Sequence, residues 1–440
     1  MRKTYSLRCS ILFILITSLT YAQDSTATYK KRVLESTEVD LLASYYSQEG
    51  NNAAVTGGLG TEELTDAAPT IVISIPMNDD DVLTIDGGIS AYTSASSSNV
   101  NPFDGGDNPA DPFVASTGAS SNDVWGNLTG TYSHSSDDRN TIWTGKLSFS
   151  TEYDYTSFGF GGSFTKLFNE KNTEISLNGN VYLDSWKIIY PFELRPFTEG
   201  GQGINDFLFN AYPLLGNANY DPQFTELGEK RRNSYSLGLN LSQIFTQRLQ
   251  GSLAVDLVLQ DGLLSTPFQR VYFGNVEDTF IQNFQLADDV ERLPSERLKL
   301  AIGGRLNYYL NEIFVLRSYY RFYIDDWGIS SHTANIEVPV KISQSFTLYP
   351  SYRYYNQSAS DYFAGYEQHF STGDFYTSDF DLSEYNANQF GFGLKYTDIF
   401  TRFNIGGFGL KSIDLKYNYY ERNTGLSANM IAGGFNFVMQ

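Results

Sequence analysis

From about residue 37 to its last residue, the chain repeats one unit: about ten to fourteen residues in which apolar and polar side chains alternate. Residues 173–184 show it. Ile175, Leu177, Gly179, Val181 and Leu183 fall on one face, and Ser176, Asn178, Asn180, Tyr182 and Asp184 on the other. Successive side chains of an extended strand point to opposite sides, so this segment has one apolar and one wet face. About sixteen such segments follow without a helical interruption, which predicts an all-β fold: a transmembrane antiparallel β-barrel of about sixteen strands, with fourteen as the alternative. A soluble β-sandwich or a secreted adhesin also alternates. The aromatic content favours the barrel, because 32 Tyr and 32 Phe suit girdles in which a ring sits in acyl chains with its hydroxyl in water.

Strands are predicted at 37–47, 68–77, 82–94, 123–135, 141–154, 157–168, 173–186, 233–245, 249–261, 297–309, 313–325, 333–342, 346–356, 388–398, 411–421 and 427–439. Tight links such as Asn78 to Asp81, Asp137 to Asn140 and Asn169 to Asn172 are hairpin signals. With the N-terminus in the periplasm, the long loops 95–121, 187–231, 262–296 and 357–387 all fall on the outer side, and nearly all tight turns fall on the other. The last strand carries Phe435 and Phe437, the kind of aromatic end that barrel-assembly machinery reads. Pro339 and Pro350 interrupt strands twelve and thirteen, which predicts a local bulge or a lateral weak point.

Residues 1–22 read as a signal peptide: Arg2, Lys3 and Arg8, then the short apolar run Ile11 to Leu19, then Thr20-Tyr21-Ala22. Residues 23–36 form a polar, flexible periplasmic lead, and 37–440 the barrel. The single cysteine, Cys9, leaves with the signal, so the mature chain has neither disulfides nor a thiol nucleophile. Thirty Lys and Arg stand against fifty Asp and Glu, and the signal removes three of the basic residues. Such an acidic chain is no nucleic-acid binder. The partners expected are outer-membrane lipid, the assembly machinery, and either a small polar solute or a periplasmic protein.

Alternation also assigns a lumen face. It places Lys299, Arg305 and Asn307 inward on strand ten, and Arg317, Tyr319, Arg321, Tyr323 and Asp325 on strand eleven. Glu337 and Lys341 follow on twelve, Arg353 on thirteen, and Asp414 and Lys416 on fifteen. Early strands supply acids: Asp86 on three, Glu152 and Asp154 on five, and Glu174 and Asp184 on seven, with Lys146 an exception. In a closed ring the two groups face each other, giving a transverse field across a pore, unless the charges only pair locally and keep the interior wet.

In loop 95–121, Asp104, Asp107 and Asp111 are spaced among glycines and amides that can wrap Ca²⁺. The spacing is not that of an EF-hand, and a solvated acidic loop is the simpler reading. No other cofactor is implied. His134, His332 and His369 are scattered and make no metal-ligand spacing. Neither a nucleophile elbow nor a phosphate loop is present. No enzyme is expected, with a barrel-embedded hydrolase as the remote alternative.

The most distinctive stretch runs from Tyr45 to Glu62. Gly50, Asn51, Asn52, Thr56, Gly57, Gly58, Gly60 and Glu62 read either as a tightly packed plug or rim loop, or as a constriction or docking site. Here the chain resembles the domain-of-unknown-function family 3570. The match lies at Gly50-Asn51, at Ala54 to Gly58 and at Gly60 to Glu62. Tyr92 to Ser97, Ser150 to Phe158 and Phe192 to Pro196 also look like this family. Ala53 stands where the family pattern has serine, which removes any role for that hydroxyl. The resemblance implies an outer-membrane barrel and carries over no catalytic residues. The expected function is a channel or transporter for a small polar solute, with a non-transporting scaffold as the alternative.

Overall fold

The computed structural model describes residues 31–93, 122–207, 209, 214–222, 224, 228–281 and 284–440. Residues 1–22, read as a signal peptide, and the loop with Asp104, Asp107 and Asp111 lie outside them. Sixteen long strands form one antiparallel sheet. They are β1 (Glu38–Glu49), β2 (Leu64–Pro76), β3 (Asp81–Thr93), β4 (Asn122–Ser135), β5 (Thr141–Thr151), β6 (Tyr155–Phe168), β7 (Thr173–Ile188) and β8 (Gly228–Thr246). The second half is β9 (Leu249–Gly262), β10 (Glu296–Tyr309), β11 (Val315–Asp325), β12 (Ser330–Glu337, resuming at Val340–Lys341), β13 (Phe346–Gln357), β14 (Tyr385–Thr397), β15 (Phe408–Arg422) and β16 (Ser427–Met439). Each pairs with its neighbour in sequence, and β1 pairs with β16 from Glu38↔Val438 to Glu49↔Ser427. The ring is closed, so no strand edge is left to be satisfied.

Local chemistry sets the hairpins. At one end of the ring the Asn78 side chain accepts from the backbone N–H of Asp80 (2.8 Å) and Asp81 (2.9 Å), closing the β2–β3 turn. The lead packs here: Arg32 pairs with Asp79 at 2.9 Å. This is the short-turn end, and the long loops gather at the other.

Outward faces form an apolar band in which Leu147 (64 % exposed), Phe158, Leu237, Leu306, Phe392 and Leu415 are all exposed. A contiguous apolar surface of this extent needs an apolar solvent. Inward faces are wet, as in the Thr144–Ser163 (2.8 Å) and Asn180–Ser236 (3.2 Å) hydrogen bonds.

Neither proline makes a bulge. Glu337 opposes Arg317 and Val340 opposes Phe314, three residues along each strand, so the register passes Pro339 unchanged. The proline carbonyls still accept: Pro339 from Val315 N (3.1 Å) and Pro350 from Val338 N (3.0 Å). Only the proline donors are lost, and the wall is continuous. True register shifts occur elsewhere, at Leu410/Ser412 and Leu249/Gln250.

The apolar core lies outside the barrel wall. Its buried clusters, among the described residues, are all at the long-loop end. Phe197, Phe209, Tyr220, Ile281, Phe284 and Leu286 form one; Ile188, Tyr190, Leu194 and Val290 another. Leu264, Leu293 and Trp327 form a third, and Val271, Phe273 and Tyr376 a fourth. Burial of each such side chain contributes about 1.5–3 kcal/mol. The β7–β8, β9–β10 and β13–β14 loops are therefore a packed cap.

Candidate functional site

The glycine-rich segment between β1 and β2 enters this cap. Ala54–Thr56 make one 3-10 turn that ends on Gly57 in the left-handed region, φ 74°. The Thr56 hydroxyl donates to the Leu59 carbonyl. Glu62 accepts from Asn52 N (2.7 Å), and the Asn52 side chain donates to the Thr424 carbonyl (2.8 Å). Gly50 and Ala53 are buried, Asn51 is exposed, and the turn of Gly60 is closed by Ala53 N to Gly60 O at 3.3 Å. A Cβ on Gly57 would lie 2.6 Å from the Tyr272 ring, and one on Gly58 2.8 Å from the Phe380 ring. The glycines are there for close approach, so the packed-loop reading accounts for them. A cavity of about 390 Å³ lies beside the segment, lined by Asn52, Val55, Glu62, Asp379, Asp381 and Arg422.

A buried ion pair ties this segment to two other loops of the cap. Arg270, in the β9–β10 loop, is fully buried. Its Nη1 donates to the Val55 carbonyl (2.7 Å) and its Nε to Glu193 Oε1 (3.1 Å), with Nη2 on the same carboxylate oxygen. Glu193, in the β7–β8 loop, is also fully buried. The β1–β2 and β9–β10 loops stand eight places apart in a ring of sixteen, the greatest separation possible. Contact between them means that the cap bridges the mouth.

The cap also holds acids against their preference. Burial, with repulsion from Asp379, pushes Glu291 up from 4.5 to about 8. Burial pushes Asp288 up from 3.8 to about 6, and burial with Asp381 repulsion does the same to Asp379. Glu291 accepts from Thr266 N (2.6 Å) and the Thr377 hydroxyl (2.5 Å). A carboxyl with a raised folded-state pKa contributes stability that is complete below its unfolded value and lost as pH rises through the folded one. For Glu291 that window runs from 4.5 to about 8. The cap is expected to resist protease at about pH 5 and to loosen at about pH 9. Glu291→Gln should flatten the profile, and an unchanged profile in that variant would rule out Glu291 as its source.

The ring sorts the lumen residues. Arg305, Arg317, Arg353 and Lys416 line one cavity of about 640 Å³, with Glu337 and Tyr349 among them. Arg317 pairs with Glu337 at 2.8 Å and Lys416 reaches it at 3.9 Å. Arg321 lies higher on β11, opposite Thr333, and Lys341 lies at the short-turn rim opposite Thr347; neither joins the cavity. Asp86 is on β3, eight places from β11, with Asp66 and Asp40 on the neighbouring β2 and β1. Asp184 accepts from the Tyr155 hydroxyl.

Two assignments change. Glu152 and Asp154 are not on β5, which ends at Thr151. They form the tight link to β6 at the long-loop rim, where Asp154 accepts from Trp186 Nε1 at 3.1 Å. Alternation continued through this link by chance of sequence, while the ladder stopped. Half-burial raises both carboxyl pKa values. The histidines are apart: His134 on Asp81 (2.6 Å), His332 on the outward-facing Tyr320 hydroxyl (2.7 Å), and His369 in the cap, donating to Thr377 O (2.9 Å). Among the described residues no three potential metal ligands converge.

A family model matches residues 16–437. The chain belongs to that family, described as protein of unknown function (DUF3570). The stretches Ala54 to Gly58 and Phe192 to Pro196, which carry the resemblance, hold the two partners of Arg270, Val55 and Glu193. No curated protein matches this DUF3570 chain in sequence. Among solved structures it is similar to a bacterial polysaccharide outer membrane secretin, with TM-score 0.43 and 10% identity over 91% of this chain and 98% of that one. It is also similar to the Pseudomonas putida toluene transporter TodX, with TM-score 0.39 and 9% identity over 92% and 90%. A ferric enterobactin receptor mutant from Pseudomonas aeruginosa gives TM-score 0.41 and 11% identity over 89% of this chain, which spans 54% of the receptor.

Arg270 and Glu291 escape a reading by alternation, because their loops look like polar connections. The available signal is a lone charge between apolar neighbours at Phe192-Glu193-Leu194; Arg270, after Gln269, and Glu291, before Arg292, carry none.

Proposed function

We propose that this DUF3570 protein is an outer-membrane channel or transporter for a small polar solute, with the loop cap as its outer gate. One observation carries the reading: a closed ring whose apolar band faces outward encloses a wet lumen with a cavity of about 640 Å³. Sixteen strands leave room for an aqueous interior. Cations on β10, β11 and β13 opposite acids on β1 to β3 supply a transverse field that orients dipolar solutes.

The test is conductance in planar bilayers. Arg317→Glu, Arg321→Glu and Arg353→Glu together should shift ion selectivity towards cations. Unaltered selectivity would remove these residues from the permeation path.

The bridged mouth favours a second reading, a non-transporting scaffold that docks a periplasmic or surface partner. That reading expects no conductance even with a loosened cap, and a partner recovered by cross-linking.

A further inference from the structure

We propose that the half of the lumen nearer the short turns holds a binding site for a small hydroxylated organic anion, of which a sugar acid is the type. The inference deepens the channel reading and rests on it only for the route of access.

The charge balance comes first. Four cations, Arg305, Arg317, Arg353 and Lys416, share the cavity with one carboxylate, Glu337. Glu337 is already engaged by Arg317 and Lys416. Among the described residues Arg305 and Arg353 have no carboxylate partner. This occurs in a chain with a formal net charge of −20, in which acids outnumber bases. Like charges gathered in one cavity repel, and an anion there relieves the repulsion.

Geometry makes the cluster a site rather than a wet wall. Arg305 lies over the Tyr319 ring at 5.2 Å. Arg317 and Lys416 both lie over Tyr349, at 5.8 and 5.7 Å. Rings on rigid strands hold these cations in place, so less freedom is lost when a ligand binds. The register brings them level: Arg305 opposes Tyr319, Tyr319 opposes Asn335, and Asn335 opposes Arg353.

The remaining lining names the ligand. Asn307, Asn335, Gln389 and Asn418 add amides, with Gln389 Nε2 donating to Asn418 Oδ1 at 3.1 Å. Amides both donate and accept, which matches hydroxyl groups. Guanidinium forks match a carboxylate. A cavity of about 640 Å³ falls in the usual range for small-molecule sites, about 300–1,000 Å³.

The test is titration calorimetry of the detergent-solubilised full barrel with glucuronate, and with glucose as the uncharged control. Glucuronate should bind, more weakly as salt rises, and glucose should bind at least about tenfold more weakly. Arg305→Gln with Arg353→Gln should cost glucuronate about tenfold or more in affinity. Glu337→Gln should raise affinity, because it frees Arg317 and Lys416. Lys171→Gln, in the tight β6–β7 turn, should change nothing. Equal affinity for glucuronate and glucose, no binding of glucuronate, or an unaffected double variant would each overturn the site. Binding without conductance sinks the channel and keeps the site; conductance without binding does the reverse.

Discussion

Arg270→Ala is expected to open the cap while leaving the sixteen-strand ring closed. The substitution removes the donors to Glu193 and to the Val55 carbonyl together. Glu193 would remain fully buried, and its other oxygen already has no partner among the described residues. Breaking a buried ion pair from one side costs about 3–5 kcal/mol, because a charge is left uncompensated. The loss falls on the cap, since neither residue belongs to a barrel strand. Hydrogen exchange should quicken in residues 189–197, 264–281 and 284–293, with the strand ladders still protected. Conductance should rise if the cap is the gate. Arg270→Lys should be intermediate, because it keeps the charge but loses the planar fork. Arg270→Met with Glu193→Leu should recover part of the loss, as apolar replacements of buried pairs often do. Unchanged exchange in Arg270→Ala would show that the junction does not hold the cap.

Gly57→Ala should have the next largest effect. Gly57 sits at φ 74° with the Tyr272 ring 2.6 Å from where a Cβ would be. A left-handed backbone costs an L-residue about 1–2 kcal/mol. Displacing a packed ring adds about 1–3 kcal/mol. Gly200 gives the control: its φ is 82°, but a Cβ there meets open space. Gly200→Ala therefore carries the backbone strain alone. The difference between the two variants, read as protease resistance of the cap, isolates the contact with Tyr272. Equal losses would mean that only backbone strain matters at Gly57.

Strand count, order and lumen face were legible in the sequence of this DUF3570 protein. Ile175 against Ser176 and Arg317 against Tyr320 were sorted correctly because strand side chains alternate with a period of two whatever the rest of the chain does. The family motifs were legible as motifs, but not as partners of one another. Glu152 and Asp154 were misplaced because alternation continues past Thr151, where the ladder ends. Pro339 and Pro350 looked disruptive because a donor is lost at each. Their carbonyls and an unbroken register absorb that loss, and only the neighbouring strands reveal it.

By itself, then, the sequence determined the wall: sixteen alternating segments, their inward and outward faces, and the end at which the long loops lie. These follow from local geometry and from the need to satisfy every backbone group within an apolar solvent. Tertiary structure alone decided the mouth and the cavity. Arg270 meets Val55 across 215 residues of chain and the full width of the ring. Arg305, Arg353 and Lys416 reach one cavity from three separate strands. No local pattern encodes contacts between loops or strands so far apart; they exist only once the ring has closed.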